Sequence, residues 1–289
     1  MLKYGLVRLL SFVLTCGTVL SIAKELPVKC PPRVEAEDLK KETVGYLVMP
    51  GGLCSGTLLS PHVVLTAAHC VKSISVRDLS FTLHADLSET PKGVNFARVK
   101  QVELHPLFLA PFGKNPGGAD LALVQLENTD YAKSVPLVFY EMTDDLDLTH
   151  GTTAYALGYG VEPNGSAKVR RPRRIRFDER RPAQLADGTE VSGGLFRFVR
   201  GDEGQIPCGG DSGSPILKFI GDKTYIVAVH SSSQAFIENA RSQASLEKSP
   251  WRLCEVSASA IASSLAKFRV WVESTQKKME KGNSYPRCP

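Results

Sequence analysis

From Val44 to about Ile261 the chain is a succession of short apolar runs, each closed by Gly, Pro, Asn or Asp. Val44–Val48, Ser55–Leu59, Val63–Leu65, Leu121–Leu126, Thr153–Leu157 and Tyr225–Val229 are the clearest, and they are rich in Val, Leu and Tyr. Such runs between turn formers read as strands, and many in a row without helical periods predict a barrel or sandwich. One helical period stands out near the end. Within Ser263–Lys278, residues Leu265, Phe268, Trp271 and Val272 share a helix face that would dock on a core. There is no internal repeat. The one biased tract is Val169–Arg181, with arginines from Arg170 to Arg181, expected as an exposed loop. It reads as a solvated nicking site, or as an exosite for acidic substrates or surfaces.

The N-terminal 23 residues stand apart from this pattern. Lys3 and Arg8 precede an apolar run from Leu9 to Leu20, and Ser21-Ile22-Ala23 offers small residues for cleavage after Ala23. The run is too short for a permanent anchor, so no stable membrane insertion is expected after signal removal. Val13-Leu14-Thr15-Cys16 offers a rival reading, lipidation at Cys16, although Thr15 is bulky for a lipoprotein box. Either way the chain is exported, secreted or periplasmic. Export changes the meaning of the cysteines. Cys16 leaves with the signal, and Cys30, Cys54, Cys70, Cys208, Cys254 and Cys288 remain in an oxidising compartment. Spacing alone does not choose among their pairings, and none has zinc-type spacing, so no metal and no cofactor are expected. The 289 residues are 43% hydrophobic, enough for a sizeable core. A net charge of +5 is too mild for nucleic-acid binding.

Three strings carry chemistry. Leu65-Thr66-Ala67-Ala68-His69-Cys70 holds a histidine, Gly118-Ala119-Asp120-Leu121-Ala122-Leu123 an acid at the start of an apolar strand, and Cys208-Gly209-Gly210-Asp211-Ser212-Gly213-Ser214-Pro215 a serine among glycines. Each alone has a bland reading: a packed histidine, a strand cap, a Ser or Asx turn. Together they supply what acyl transfer needs. A serine hydroxyl is a weak nucleophile without an adjacent base, and the base needs an acid to hold its tautomer. Gly209 and Gly210 allow a backbone turn that aims N–H groups at a developing oxyanion.

The chain resembles the trypsin/chymotrypsin family, as a secreted, bacterial-type member. The His69 string matches that family's histidine motif, and Cys54-Ser55-Gly56-Thr57-Leu58-Leu59 is similar to the strand carrying the partner cysteine. Gly158-Tyr159-Gly160 resembles the family's glycine-aromatic-glycine turn, and Leu265, Phe268, Trp271 and Val272 its closing helix. The resemblance spans roughly Val44 to Lys278. It implies an all-β fold of two antiparallel six-stranded β-barrels with a C-terminal helix. The domain reading is a signal peptide at 1–23, a possible pro-segment at 24–33 and a peptidase domain at 34–289. The implied activity is a secreted serine endopeptidase cutting protein or peptide substrates through an acyl-enzyme. In it His69 is the base, Asp120 its orienting acid, Ser212 the nucleophile, and the N–H groups of Gly210 and Ser212 the oxyanion hole. The resemblance implies bridges Cys54–Cys70 and Cys208–Cys254, which leaves Cys30 with Cys288.

The chain departs from the trypsin pattern around the primary pocket. Ile206 stands where a trypsin carries an acid, with Asp202 and Glu203 out of register, so an apolar preference replaces Arg/Lys specificity. Val229-His230-Ser231-Ser232-Ser233 resembles the pocket-lining segment, with Ser231 in the place that supports the triad acid. In glutamyl endopeptidases a similar histidine binds an acidic side chain, which makes His230 an alternative specificity residue; a buried core histidine is the plain reading. Ala260 replaces a glycine at the pocket edge, and Gln234–Trp251 reads as an inserted loop. Arg33-Val34 offers a zymogen cleavage by an activating protease, freeing Val34 to pair with Asp211, although Glu35-Ala36-Glu37 replaces the usual glycines. Two other classes compete. One is a catalytically silent homologue acting as a binding module. The other is an esterase, but the α/β-hydrolase order Ser, Asp, His differs from the order here.

Overall fold

In a computed structural model the described residues are 43–88, 94–108, 119–127, 141–142, 148–162, 168–178, 183–184, 190–191, 194–200, 206–220, 223–235 and 257–281. The signal and pro-segment, the Arg33-Val34 site, Asp202, Glu203, most of the inserted loop, Cys30, Cys254 and Cys288 lie outside them.

The first barrel follows from apolar strands that can each bury a face. Its members are β1 (Val44–Met49), β2 (Gly52–Ser60), β3 (Val63–Thr66), β4 (Ser80–Thr82), β5 (Ala97–Leu104) and β6 (Ala122–Leu126). They close in the order β1-β2-β3-β6-β5-β4, every neighbour antiparallel. Closure removes the exposed edges that a sheet of this kind would otherwise present. Val44, Leu58, Val64, Phe81, Leu123 and Val124 of these strands are each fully buried. A short helix, α1 (Ala68–Val71), follows β3.

The second barrel comprises β8 (Thr153–Gly158), β9 (Arg171–Phe177), β12 (Leu195–Arg200), β13 (Pro215–Ile220), β14 (Lys223–Ala235) and β15 (Ser257–Ser264). The order is β13-β8-β9-β12-β15-β14, and pairing of β13 with β14 closes it. Between the two barrels in sequence, β7 (Glu141–Met142) adds to β14 in parallel. The pair β10 (Ala183–Gln184) and β11 (Glu190–Val191) forms a separate ribbon. Small residues Ala154, Ala156, Ala228 and Ala262 leave room inside the second barrel for Phe177 and Phe198, whose rings lie 4.6 Å apart. Burying each such ring contributes roughly 2–3 kcal/mol.

Two expectations are corrected here. The arginine-rich stretch is no loop over 171–177. It is strand β9, and its alternation buries Arg173, Ile175 and Phe177. The terminal helix, α2, begins at Leu265 and runs to Met279, because Ser263 and Ser264 complete β15. Leu265, Phe268 and Val272 are buried against the first barrel's core, while Trp271 is half-buried beside His105, 4.7 Å between ring centres. Gln125 Nε2 donates to the Met279 carbonyl at 2.6 Å, and Gln276 Nε2 to that of Leu59 at 3.2 Å. The helix that leaves the second barrel thereby clamps the first.

Candidate functional site

The two barrels meet at the three strings singled out in the sequence. β3 and β6 pair in a register that sets Thr66 opposite Ala122, so α1 after one strand and Asp120 before the other emerge together. The Cys54–Cys70 disulfide ties α1 back to β2. Asp120 then takes two bonds from one residue. The His69 backbone N–H donates to Oδ1 at 2.8 Å, and ring Nδ1 lies 2.6 Å from Oδ2. The Ser231 hydroxyl donates to the same Oδ2 at 2.6 Å, and the Asp120 N–H donates to Ser263 Oγ at 3.1 Å. The acid is thus held by both barrels.

Ser231 owes its position to a bulge. His230 pairs with Ala262 and Ser232 with Ile261, leaving Ser231 as the extra residue in β14. A bulge of this kind re-aims a side chain out of the ladder. Here it turns the Ser231 hydroxyl toward Asp120, while the Ser231 carbonyl accepts from Ser212 Oγ at 3.3 Å. Asp120 is thus linked to His69 directly and to Ser212 through Ser231.

His69 and Asp120 differ in burial. The His69 side chain is 41% exposed and that of Asp120 only 12%. Burial pulls the His69 imidazole down, but its hydrogen bond to Asp120 and that carboxylate's charge outweigh it and hold the base above its ordinary 6.5. Burial pushes Asp120 up, and the bonds from His69 and Ser231 bring it below the ordinary carboxylate value, so it stays ionised.

The turn from Cys208 to Ser214 carries Ser212. Its end is laced to β14 by Gly213 N–H to the His230 carbonyl and His230 N–H to that of Ser214, both 2.9 Å, and to β2 by Ser55 N–H to the Ser212 carbonyl at 2.7 Å. Gly213 sits at φ +82°, and a Cβ there would run into Thr66 Oγ1 and the Ser55 carbonyl, so only glycine fits. The Gly209 carbonyl accepts from Val161 N–H at 2.8 Å. In a trans peptide this turns the Gly210 N–H the opposite way. Among the described residues, the N–H groups of Gly210 and Ser212 have no acceptor. Two orphan donors flanking a serine hydroxyl are the equipment an oxyanion requires.

The remaining predicted residues fall as follows. Ile206 is 2% exposed and Ala260 fully buried. Ser233 lies in β14 opposite Ala260. His230 is 1% exposed, its Nδ1 has no partner among the described residues, and burial pulls the ring down to about 4, so it is neutral at ordinary pH. Cys208 is disulfide-bonded. His69 Nε2 lies 3.7 Å from Cys70 Sγ, but sulfurs joined in a disulfide offer no thiolate to a metal. A surface hollow of about 470 Å³ lined by Ala85, Asp86, Val169, Arg170, Arg171 and Pro172 shares no residue with this cluster.

Asp211, expected to receive a freed N-terminus, is fully buried and already engaged. Arg173 Nε donates to its Oδ2 at 2.7 Å, with Cys208 N–H at 2.9 Å, and Gly160 N–H donates to Oδ1 at 2.8 Å. Sequence reasoning passed over Arg173, Ser55 and Ser263. The alternation of Arg173, Ile175 and Phe177 was the available signal for the first. Nothing local marked the serines.

A family model described as Trypsin matches residues 36–242. A venom serine protease of Polistes dominula is 27% identical over 230 residues, covering 69% of this chain and 77% of the relative. Trypsin alpha of Drosophila melanogaster is 25% identical over 174 residues, 57% of this chain and 62% of its own length. The cercarial protease of Schistosoma mansoni is 27% identical over 184 residues, 60% and 69% respectively.

Proposed function

The chain belongs to the trypsin family of serine endopeptidases, and on that premise we propose that His69, Asp120 and Ser212 are its catalytic triad. One observation carries the reading: Ser231 is bonded to both Asp120 and Ser212, so the acid that orients His69 and the hydroxyl to be activated share one anchor. In the reaction, His69 Nε2 takes the proton of Ser212 Oγ as the oxygen adds to the scissile carbonyl. Asp120 holds the Nδ1 proton and stabilises the imidazolium. The tetrahedral oxyanion meets the free N–H groups of Gly210 and Ser212. His69 then gives its proton to the leaving amine, and water, activated by the same ring, hydrolyses the acyl-enzyme. The Ser212 hydroxyl, which donates to the Ser231 carbonyl, rotates to His69 as the reaction begins.

The pocket reading is apolar. Ile206 brings no carboxylate for an Arg or Lys side chain, and a neutral, buried His230 brings no positive charge for a Glu. Export rests on residues 1–23 and on the Cys54–Cys70 disulfide, which belongs to an oxidising compartment; among the described residues no helix is long and apolar enough to cross a membrane. The deciding experiment pairs fluorophosphonate labelling with a randomised peptide library. Labelling at Ser212, lost in Ser212→Ala, with cuts after Leu, Phe or Val, is expected. Folded protein that never labels would make the chain a silent binding homologue. Cuts after Arg or Lys would overturn the pocket reading.

A further inference from the structure

The ion pair beneath the nucleophile has a consequence for activation. Arg173 lies on β9 opposite Ala156, whose small side chain leaves the barrel interior open to it. Its side chain is 2% exposed and that of Asp211 not at all. Besides Asp211, Arg173 donates from Nη2 to the Gly160 carbonyl at 3.1 Å and pairs through Nη1 with Glu162 at 2.9 Å. Glu162 in turn lies 3.2 Å from Arg171. The result is an alternating row, Asp211, Arg173, Glu162, Arg171, two anions and two cations. Gly158 and Gly160 are required beside it, because a Cβ on either would fall within the Asp211 carboxylate.

This row and the oxyanion donor are mechanically one unit. Gly160 N–H holds Asp211, and Val161 N–H, next along the chain, holds the Gly209 carbonyl that turns Gly210 N–H toward the site. Asp211 also fixes the turn from within through Cys208 N–H. A charge inserted from a new N-terminus would enter a row in which Asp211 is already paired, and would place a second buried cation beside Arg173 at large desolvation cost.

We infer that Arg173 is the built-in cation of this enzyme: a positioning residue that keeps Asp211 and the Gly209–Gly210 peptide in working geometry without a freed N-terminus. Cleavage after Arg33 is then not needed for activity. The inference rests on the triad reading above. It also makes Arg173 an internal part of the site instead of part of a surface for acidic partners.

Two arms test it. In the first, Arg33→Gln protein whose N-terminus is shown by mass spectrometry to lie upstream of Arg33 is compared with protein beginning at Val34. Active-site titration with a fluorophosphonate and turnover of a peptide substrate should agree within about twofold. Activity only in the Val34 form would overturn the inference. Absence of labelling in both forms would instead overturn the triad reading. In the second arm, Arg173→Gln should lower kcat about 100-fold with KM little changed, as for loss of an oxyanion donor. Affinity for a peptide aldehyde should fall in parallel, and Arg173→Lys should recover part of both. A folded Arg173→Gln protein with unchanged kcat would refute the positioning role. Should that variant fail to fold, the first arm decides.

Discussion

Replacing His230 by leucine removes a ring that is 1% exposed, with an Nδ1 that has no partner among the described residues. Burial holds this imidazole near 4, against 6.5 in an unfolded chain. Falling pH therefore protonates the unfolded state first, and each pH unit between those values costs the fold about 1.4 kcal/mol. The stability tied to neutral His230 is fully present above 6.5 and is lost as pH falls toward 4. Between pH 7.5 and 4.5 the loss comes to roughly 2–3 kcal/mol. Leucine cannot titrate, and at pH 7.5 it also relieves an unsatisfied buried nitrogen, so its own cost there is small. The assay is guanidinium unfolding of His230→Leu against the parent at both pH values, each in a Ser212→Ala background to prevent autolysis. Other titrating groups cancel in the difference. The gap between the two proteins should move in favour of leucine by roughly 2–3 kcal/mol on acidification. An unchanged gap would refute the neutral, buried assignment, and with it the argument that His230 offers no charge to an acidic substrate.

Three further outcomes follow from the geometry. Since Asp120 holds His69 above its ordinary 6.5, and only neutral imidazole accepts the Ser212 proton, activity should rise with pH through an acid limb lying above 6.5. Asp120→Asn should move that limb down and lower kcat by about 10⁴-fold, the size known for this change in the triad template; pH–rate profiles on peptide substrate measure both. Gly160→Ala pushes a Cβ into the Asp211 carboxylate and should cost about 3 kcal/mol or more, seen as a large drop in Tm together with loss of labelling. Replacing Cys54 and Cys70 by serine opens a loop of 16 residues and should cost about 3 kcal/mol in chemical denaturation. It should also lower kcat, because α1 carries His69.

Strands with dense apolar runs were plain in the sequence, and so was the order of the three motifs. Strand β15 was hidden, since its Ser257–Ser264 text is serine and alanine with one isoleucine. Its smallness is what the second barrel's interior needs beside Phe177 and Phe198, a demand set by packing and invisible locally. The same demand moved the start of α2: Ser263 was expected in the helix, yet it belongs to β15 and serves as the acceptor for the Asp120 N–H. Arg173 was misread for the opposite reason. Seen along the chain it is one of many arginines and reads as solvated. Only the pairing of β9 with β8, which turns it inward above Gly158 and Gly160, reveals that it is neutralised on both sides.

A common physical logic joins these features. Each barrel is closed, so neither has a sheet edge with which to grip the other, and the seam between them has to be held by other contacts. Prominent among them are serines. Ser55 of β2 donates its N–H to the Ser212 carbonyl and its hydroxyl to that of Gly210, while accepting from Tyr159 N–H. From the other side, Ser231 and Ser263 hold Asp120. The bonds that align the catalytic groups are thus also bonds that hold the barrels together. A barrel displaced by even 1 Å would break these bonds at 2.6–3.1 Å and misplace the acid and the oxyanion donors at once. A hole in a barrel interior, as at Phe81, instead lowers stability while leaving the seam intact. Damage to the seam therefore appears in kcat before it appears in Tm, and damage to the cores in the reverse order.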